Sequence, residues 1–587
     1  MLPKKTIVGA IAAALGAAAL TVPAATAAPA QISCASPLLG EAAPAADIAE
    51  DAPKKFAKAA TVNGERPAAF SDVADDETLW LDQCGMAFYV DPAPETPEVA
   101  SAYQEAPADV LSLQSLPGAP VTIYLDFTGG KVTGTGWNDT YGPISAEPFS
   151  ITAPASTSFD ASERQAIFDT WQVVAEDYAP FEVNVTTADL GAAAIERTNF
   201  SDTTYGTRVL FAANTPMSGV CGCAGQAYLG IFDRAGADRA RYQPAFVYPE
   251  TLGRNGHAMG DAASHEIGHN LRLEHDGTAT QDYLGAGDEA TWAPIMGAGY
   301  GAQFSQWSQG EYPEANNPQD DTAIVAWSIP VREDDHAGST TDAATLVKGR
   351  PQQGVITSRS DTDAFTFTAR GTTTLRVTPS TYTNLHAGIT ILDASGDEVD
   401  SVSITPAVGF VMDPLSDPFG VPPTTWDVDL PMEPASYTAI VDGIGHLDPI
   451  AARTFSDYGS IGAYDIDLDT GNPVPDPLQV SRGADLTLWN DEWLDDEPLV
   501  TTTGGTRPYL WTSPDIPEGL GIDHETGLLS GSLTDRQPRT GRFTVAVTDA
   551  RAARPRPSWT SPSGPPGRSP SRPTRSPSSP ASSAPCA

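Results

Sequence analysis

The sequence predicts a multidomain protein in which an α+β domain is followed by two all-β sandwich domains. A chain of 587 residues with 40% hydrophobic content is long enough for several domains, each with its own core. In residues 118–330, strands of period two alternate with an amphipathic helix. In residues 334–470 and 478–550, short apolar strands are separated by Gly, Asp, Ser and Pro, which is typical of antiparallel β-sandwiches.

The first 27 residues predict a secretory signal peptide. Lys4 and Lys5 precede an apolar run over residues 7–22, and Ala25-Thr26-Ala27 fits a cleavage site. We therefore expect the mature chain to be secreted and extracellular, with association at the cell surface as an open alternative. After this segment the chain contains no run of about eighteen apolar residues, so the sequence predicts no membrane span.

The charge of the chain excludes some classes of partner. Lys and Arg number 33 against 75 Asp and Glu, which gives a formal net charge of -42. Such a surface repels nucleic acid and anionic membranes and favours solubility. We expect neither as a partner.

Residues 28–117 predict a propeptide and linker, so that the protein is made as a zymogen. The stretch is rich in Ala and Pro and contains a short apolar segment, Phe88-Tyr89-Val90. The α+β domain then begins with a strand near residues 121–127. A long helix follows, for which Asp160 and Glu163 form a capping box.

Further elements of the α+β domain are less strongly patterned. They are strands near 181–185, 209–211 and 227–232, and closing helices over 304–312 and 320–327.

A zinc-binding pattern lies within this domain. His265 and His269 are four residues apart, so on a helix both imidazoles face one point, as neighbouring metal ligands must. A zinc ion with three protein ligands polarises a carbonyl group and lowers the pKa of water to about 7. Glu266, beside the first histidine, is placed to accept a proton and return it to a leaving amine. The pattern indicates hydrolysis of peptide bonds, with Glu266 as the catalytic residue.

The run from His265 to Asp276 resembles the metzincin signature HExxHxxGxxH, with Asp276 as in the adamalysin-like branch. The resemblance implies zinc ligation by His265, His269 and His275, and an α+β fold with a mixed sheet and a zinc-site helix. Here Arg272 replaces the glycine of the signature, at a cost of about 1–2 kcal/mol for a left-handed residue.

If the turn is made differently, the third ligand is a carboxylate of Glu274 or of the Asp288-Glu289 pair. Downstream, Pro294-Ile295-Met296-Gly297 resembles the metzincin Met-turn, which implies that Met296 forms an apolar floor beneath the histidines. The family also binds extended substrate along an edge strand, for which residues 227–233 are the candidate.

Cys84 allows two interpretations. A propeptide thiolate is a good fourth zinc ligand, so Cys84 is a possible latency thiol. The alternative is a disulfide between Cys34 and Cys84 in an oxidising compartment.

The two C-terminal β regions resemble accessory modules of bacterial extracellular proteins. Asp361-Thr362-Asp363-Ala364-Phe365 and Ala435-Ser436-Tyr437-Thr438 resemble the pre-peptidase C-terminal domain. Motifs at 504–511, 517–520, 526–531 and 543–549 resemble an Ig-like domain of bacterial surface proteins. These resemblances imply contact with a cell surface or polysaccharide. Acidic loops such as Asp334-Asp335 are a possible calcium site.

The tail over residues 551–587 has a composition unlike the rest of the chain. It is rich in Pro, Ser and Arg and is expected to be disordered. For the whole chain we expect a secreted zinc-dependent endopeptidase that acts on proteins or peptides. The alternative is an extracellular adhesive or binding protein whose zinc centre is structural or inactive.

Overall fold

We describe the fold from a computed structural model of the chain. The structure describes residues 36–548, except for 95–103, 152–154, 213–220, 287–291, 301, 303, 404–423, 431–434, 446–454, 471–478, 483–492, 499, 504–508, 525–526 and 534–540. The signal peptide and the C-terminal tail therefore lie outside the described residues. The chain divides into two compact units, Met1–Gly471 and Asn472–Ala587, which are described separately.

The first unit opens with a small folded segment over residues 36–92. Its elements are β1 (Ala43–Pro44), α1 (Ala45–Asp51), α2 (Pro53–Val62), α3 (Pro67–Val73), β2 (Leu79–Leu81) and β3 (Ala87–Pro92). The three helices cover a core that includes Phe56, Phe70 and Leu79. The region predicted as propeptide and linker thus contains ordered structure, which we call the N-terminal segment.

The α+β domain follows. Its strands are β4 (Val121–Asp126), β5 (Gly130–Val132), β6 (Ile144–Ala146), β7 (Val183–Thr186), β8 (Tyr205–Phe211), β9 (Cys223–Tyr228), β10 (Ala245–Val247), β11 (Trp292–Pro294) and β12 (Phe304–Gln306). Its helices are α4 (Gly136–Tyr141), α5 (Ala161–Asp177), α6 (Ala192–Ile195), α7 (Gly236–Ala240), α8 (Gly256–Asn270) and α9 (Asp321–Ser328).

One mixed sheet joins the N-terminal segment to the α+β domain. Its strand order is β1-β2-β3-β9-β10-β8-β4-β7. The strands β10, β8, β4 and β7 run parallel to one another, whereas β9 is antiparallel to both β10 and β3. The predicted mixed sheet is confirmed. Residues 227–228 end β9, which is covered in this structure by β3, so the predicted edge is occupied by a strand of the N-terminal segment. Residues 229–233 lie beyond the strand.

Helices α5 and α8 pack against each other over this sheet. The capping box predicted from Asp160 and Glu163 is present at the start of α5. The two helices approach closely because Gly260 of α8 faces Val173 of α5. The predicted helix at 304–312 is wrong. Phe304–Gln306 is a buried strand, because its parallel pairing with β11 outweighs the local helical pattern.

A β-sandwich completes the first unit. Its strands are β13 (Ala344–Thr345), β14 (Gln352–Ile356), β15 (Thr362–Ala369), β16 (Thr372–Pro379), β17 (Ala387–Asp393), β18 (Glu398–Ser403), β19 (Thr424–Asp429), β20 (Ala435–Gly443) and β21 (Gly462–Thr470). They form a five-stranded sheet, β13-β15-β20-β17-β18, and a four-stranded sheet, β14-β21-β16-β19. The alternating burial along β15 and β16 agrees with the period-two pattern of the sequence.

The sandwich packs on the C-terminal end of α5 through buried carboxyl groups. The Asn384 amide donates to Asp177 Oδ1 at 2.9 Å, and the Ala463 backbone amide donates to Glu176 Oε1 at 3.2 Å. Burial raises the pKa of both Glu176 and Asp177 to about 8. The contact is therefore built to hold neutral carboxyl groups.

The described residues of the second unit form β-strands, turns and loops. Its strands are β22 (Gln479–Arg482), β23 (Leu494–Pro498), β24 (Val500–Thr503), β25 (Leu510–Thr512), β26 (Leu520–Ile522), β27 (Leu528–Gly531) and β28 (Ala546–Thr548). They pair as β22-β24, β23-β27-β26 and β25-β28. Among all the described residues, helices that combine the length and apolar character needed to span a bilayer are absent.

Candidate active site

Helix α8 carries the first two histidines of the predicted metal site. The Asn255 side chain caps its start by accepting from the backbone amide of Ala258. His265 and His269 lie one turn apart on this helix, and both are buried. Their imidazole centroids are 4.7 Å apart, so the spacing read from the sequence does bring the two rings together.

The helix ends in a left-handed turn at an arginine. Arg272 has a φ of 86°, the conformation that the replaced glycine of the signature would adopt without strain. The backbone amide of Leu273 then donates to Gly268 O at 2.9 Å, which closes the helix end. The turn carries His275 back to the helix, where its Nε2 lies 3.1 Å from His269 Nε2.

Backbone carbonyls orient the first two imidazoles. His265 Nδ1 lies 2.8 Å from Ile295 O, and His269 Nδ1 lies 2.8 Å from Leu273 O. Because a carbonyl oxygen only accepts, each Nδ1 carries the proton, and each Nε2 presents a lone pair to the site.

The third imidazole is oriented by a carboxylate of the N-terminal segment. His275 Nδ1 donates to Asp76 Oδ2 at 2.5 Å, so its Nε2 also faces the common point. A second carboxylate of the same segment, Asp91, reaches the centre of the three rings. Its Oδ1 lies 3.0 Å from His275 Nε2 and 3.9 Å from His265 Nε2, and its Oδ2 lies 3.5 Å from His269 Nε2.

Sequence reasoning missed three residues that complete this arrangement: Asp76, Asp91 and Tyr283. The Tyr283 hydroxyl donates to Asp91 Oδ1 at 2.8 Å, and its ring packs 4.1 Å from that of His275. The sequence carries one signal for Asp91: it directly follows the apolar segment Phe88-Tyr89-Val90, so it lies at the end of a candidate strand.

Burial shifts the pKa values of the site. It lowers the pKa of His265 to about 3 and also lowers that of His269, so both rings are neutral. For His275, burial is outweighed by Asp76 and Asp91, which raise the pKa to about 9. Burial, together with the charge of Asp91, raises the pKa of Glu266 well above its usual value.

Glu266 lies against strand β9. It follows His265 on α8 and is buried. Gly225 of β9 packs directly on it, since a Cβ at this position would overlap the Glu266 carboxyl group. The Glu266 carboxyl group therefore contacts β9, the strand that pairs with β3.

Met296 packs beneath the histidine helix. Its side chain is buried, and Gly268 permits this contact because a Cβ there would overlap the methionine sulfur. The backbone of the same turn is tied to the histidine loop, since the amide of Asp276 donates to Met296 O at 2.8 Å. Ile295, the preceding residue, supplies the carbonyl that orients His265.

The donor set fits a zinc ion. Asp91, His265, His269 and His275 each offer one ligand atom within 4.8 Å of the others, and all four residues are buried. Three of the atoms that face this point or lie beside it, Asp91 Oδ2, His265 Nε2 and Glu266 Oε2, are buried without a hydrogen-bond partner. Imidazole nitrogen and carboxylate oxygen are the ligands that zinc binds in four-coordinate sites.

Other predicted site residues lie elsewhere. The latency thiol predicted at Cys84 is wrong, because Cys84 is disulfide-bonded and so offers no thiolate to a metal. Glu274 is not part of the histidine cluster, and its backbone amide donates to the Gln319 side chain. The alternative pair Asp288-Glu289 lies outside the described residues.

Comparison with known families identifies the domain. Residues 149–276, which include Glu266 and the three histidines, match the family described as Metallo-peptidase family M12B Reprolysin-like. Residues 149–276 form a reprolysin-like M12B metallopeptidase domain. Residues 494–560 match the family described as Putative Ig domain, so the chain also contains an Ig-like domain. No curated protein matches the chain.

Several solved structures are similar to part of the chain. The pre-peptidase C-terminal domain of a collagenase from Bacillus anthracis has 10% identity and a TM-score of 0.14, and the match covers 24% of this chain and 100% of that domain. PliG of Salmonella Typhimurium, a periplasmic inhibitor of g-type lysozyme, has 17% identity and a TM-score of 0.13, with 22% and 98% covered. The copper-binding protein CorA of Methylomicrobium album BG8 has 10% identity and a TM-score of 0.15, with 22% and 98% covered.

A second acidic cluster lies in the β-sandwich. Asp334, Asp335 and Asp363 each place one carboxylate oxygen within 4.8 Å of the others. The first two are exposed, whereas Asp363 is buried and its Oδ1 has no hydrogen-bond partner. Burial raises the pKa of Asp363 to about 8. This cluster contains the Asp334-Asp335 loop for which the sequence suggested calcium.

Proposed function

We propose that the chain is a secreted, zinc-dependent endopeptidase. The observation that carries the proposal is the convergence of three buried histidine Nε2 atoms around Asp91, the carboxylate that also neighbours Glu266, within a metallopeptidase domain. His265, His269 and His275 would hold the zinc ion. Bound there, zinc polarises the peptide carbonyl and makes water a better nucleophile near neutral pH.

Glu266 moves the proton in this proposal. Its carboxylate accepts a proton from the attacking water and then delivers it to the nitrogen of the leaving amine. The position of Glu266 supports this role, because it is adjacent to His265 and buried against β9. Substrate in extended form would pair with β9, which lies directly beside the carboxyl group.

The surrounding residues support a preorganised site. His265 and His269 are held by backbone carbonyls, and Met296 packs beneath their helix. Hydrogen bonds to the ring nitrogen that does not bind metal, together with packing around the rings, keep metal ligands in one tautomer and one orientation. The N-terminal sequence, with its basic residues, apolar run and small-residue cleavage site, supports secretion.

The test is hydrolysis of unfolded casein by the processed, secreted protein. Wild type is compared with Glu266→Gln at equal zinc content, and Glu274→Gln serves as the matched carboxyl control. We expect Glu266→Gln to lower the rate by about 10²- to 10⁴-fold. Glu274→Gln should keep most of the activity, because Glu274 is not part of the histidine cluster. Equal rates for wild type and Glu266→Gln would contradict the proposed role of Glu266.

A further inference from the structure

Strand β3 occupies the position proposed for substrate. It runs antiparallel to β9 with Phe88 opposite Tyr228, Tyr89 opposite Ala227, Val90 opposite Gln226 and Asp91 opposite Gly225. An extended peptide binding to the same edge would have to displace this strand, because one side of a strand pairs with one partner. The N-terminal segment therefore blocks the site as the structure stands.

The same strand delivers Asp91 to the metal position. His265 and His269 use Nδ1–H to donate to carbonyl oxygens, so their Nε2 atoms are hydrogen-bond acceptors. The Asp91 carboxylate is also an acceptor, yet it is buried directly against them. Acceptors that face one another in a buried site are stabilised when they share a cation.

The spacing of these atoms matches four ligands of one ion. Ligands 2.0–2.1 Å from a tetrahedral zinc ion lie about 3.3 Å from one another. His269 Nε2 and His275 Nε2 are 3.1 Å apart, and the Asp91 oxygens lie 3.0, 3.5 and 3.9 Å from the three Nε2 atoms. Asp91 thus stands where the fourth ligand of a catalytic zinc ion, a water molecule, would be.

We propose that the N-terminal segment keeps the peptidase latent, with Asp91 as the fourth zinc ligand and β3 in place of substrate. This inference rests on the proposed function. It assigns to Asp91 the latency role that the sequence suggested for Cys84. Activation requires removal of the segment, which frees both the fourth zinc position and the edge of β9.

Further contacts hold the segment in place. Asp76 accepts from His275, and Tyr283 donates to Asp91. Arg272, at the end of the histidine helix, donates to Asn63 O at 3.3 Å and pairs with Glu65 at 3.4 Å. Removal of the segment would break all of these contacts together with the bond to zinc.

The first test detects the fourth metal ligand by spectroscopy, in the full-length precursor loaded with Co²⁺ in place of zinc. We compare the visible absorption spectrum of wild type with those of Asp91→Asn, Asp91→Ala and the control Asp72→Ala, an exposed carboxylate of the same segment. Loss of the Asp91 carboxylate should change the spectrum of both Asp91 variants and admit water, which makes the spectrum depend on pH. Asp72→Ala should match wild type. Identical spectra for wild type and both Asp91 variants would overturn the ligand assignment.

The second test measures latency, with casein hydrolysis by the zinc-loaded wild-type precursor and by the same protein after removal of the N-terminal segment. We expect the processed protein to be at least about 10-fold more active, because the fourth zinc position and the edge of β9 are then both free. A precursor that cleaves casein as fast as the processed protein would overturn the latency proposal.

The second test also separates this inference from the proposed function. If the processed wild type fails to cleave casein while the cobalt spectrum of the precursor responds to Asp91→Asn, the peptidase claim fails and the ligand assignment stands. A processed protein that retains the cobalt spectrum of the precursor would show that the segment stays bound, and would overturn the latency proposal.

Discussion

The contact between the β-sandwich and helix α5 should weaken as the pH rises, and Glu176 allows this to be measured. Its carboxyl group is fully buried and accepts from the Ala463 amide and the Thr383 hydroxyl. Burial raises its pKa from 4.5 to about 8 in the folded protein. Between pH 4.5 and about pH 8, the folded state therefore keeps a proton on Glu176 that the unfolded state has released.

The sign and size of the effect follow from this difference. Stability from the neutral carboxyl group is fully present below pH 4.5 and is lost as the pH rises to about 8. Each pKa unit corresponds to about 1.4 kcal/mol, so the total change is on the order of 3–5 kcal/mol. For a unit of about 470 residues the unfolding entropy is about 1 kcal/mol per kelvin, so that change corresponds to a fall in Tm of about 3–5 °C.

Glu176→Gln keeps the shape and the acceptor oxygen but has no proton to lose. Differential scanning calorimetry between pH 5 and pH 8 should give similar Tm values for the two proteins at pH 5. At pH 8 the variant should be the more stable. Asp177→Asn, a change at the neighbouring carboxyl group whose pKa is also about 8, should behave in the same way. A constant Tm difference between wild type and Glu176→Gln across this range would refute the reasoning.

Two further predictions concern the histidine turn and the acidic cluster. Arg272→Gly removes about 1–2 kcal/mol of left-handed strain and restores about 0.4–1 kcal/mol of chain entropy to the unfolded state. It also loses the half-exposed pair with Glu65 and the hydrogen bond to Asn63 O. The Tm should therefore rise by up to about 2 °C at unchanged zinc content, and a clear fall would contradict this. Calcium at about 10 mM should raise the Tm of wild type if the Asp334, Asp335 and Asp363 cluster binds it with a Kd near 10⁻⁴ M. Asp363→Asn should remove that response, and an equal response in both proteins would exclude the cluster.

The local part of the site could be predicted from the sequence. The i, i+4 spacing places His265 and His269 on one helical face whatever surrounds the helix. The capping box at Asp160 likewise depends on residues three apart, and it is present. The sequence also allows the left-handed turn at Arg272, because its strain is small compared with the free energy of zinc binding.

The contribution of the N-terminal segment could not be predicted in this way. Asp91 reaches the histidines only because β3 pairs with β9, and these strands are far apart in the sequence. Local alternation around Phe88-Tyr89-Val90 indicates a strand but does not say which strand it joins. The latency hypothesis for Cys84 rests on its residue type alone, and its disulfide bond removes the thiolate that the hypothesis needs.

Tertiary pairing also explains the incorrect helix at 304–312. Phe304, Ser305 and Gln306 are consecutively buried, which a surface helix does not allow. They are buried because the strand lies between β11 and the sandwich, where the Gln306 amide donates to Asn384 O. Such burial on both faces depends on a partner more than 70 residues away along the chain.

The central claim is hydrolysis of peptide bonds at the zinc site, and isotope labelling of casein fragments tests it most directly. The zinc-loaded, processed protein is incubated with unfolded casein in H₂¹⁸O, and the products are analysed by mass spectrometry with and without a zinc chelator. We predict new fragments that carry ¹⁸O in their new terminal carboxyl groups, and the loss of these fragments when zinc is removed. Casein that stays intact with a fully zinc-loaded, processed protein would contradict the claim.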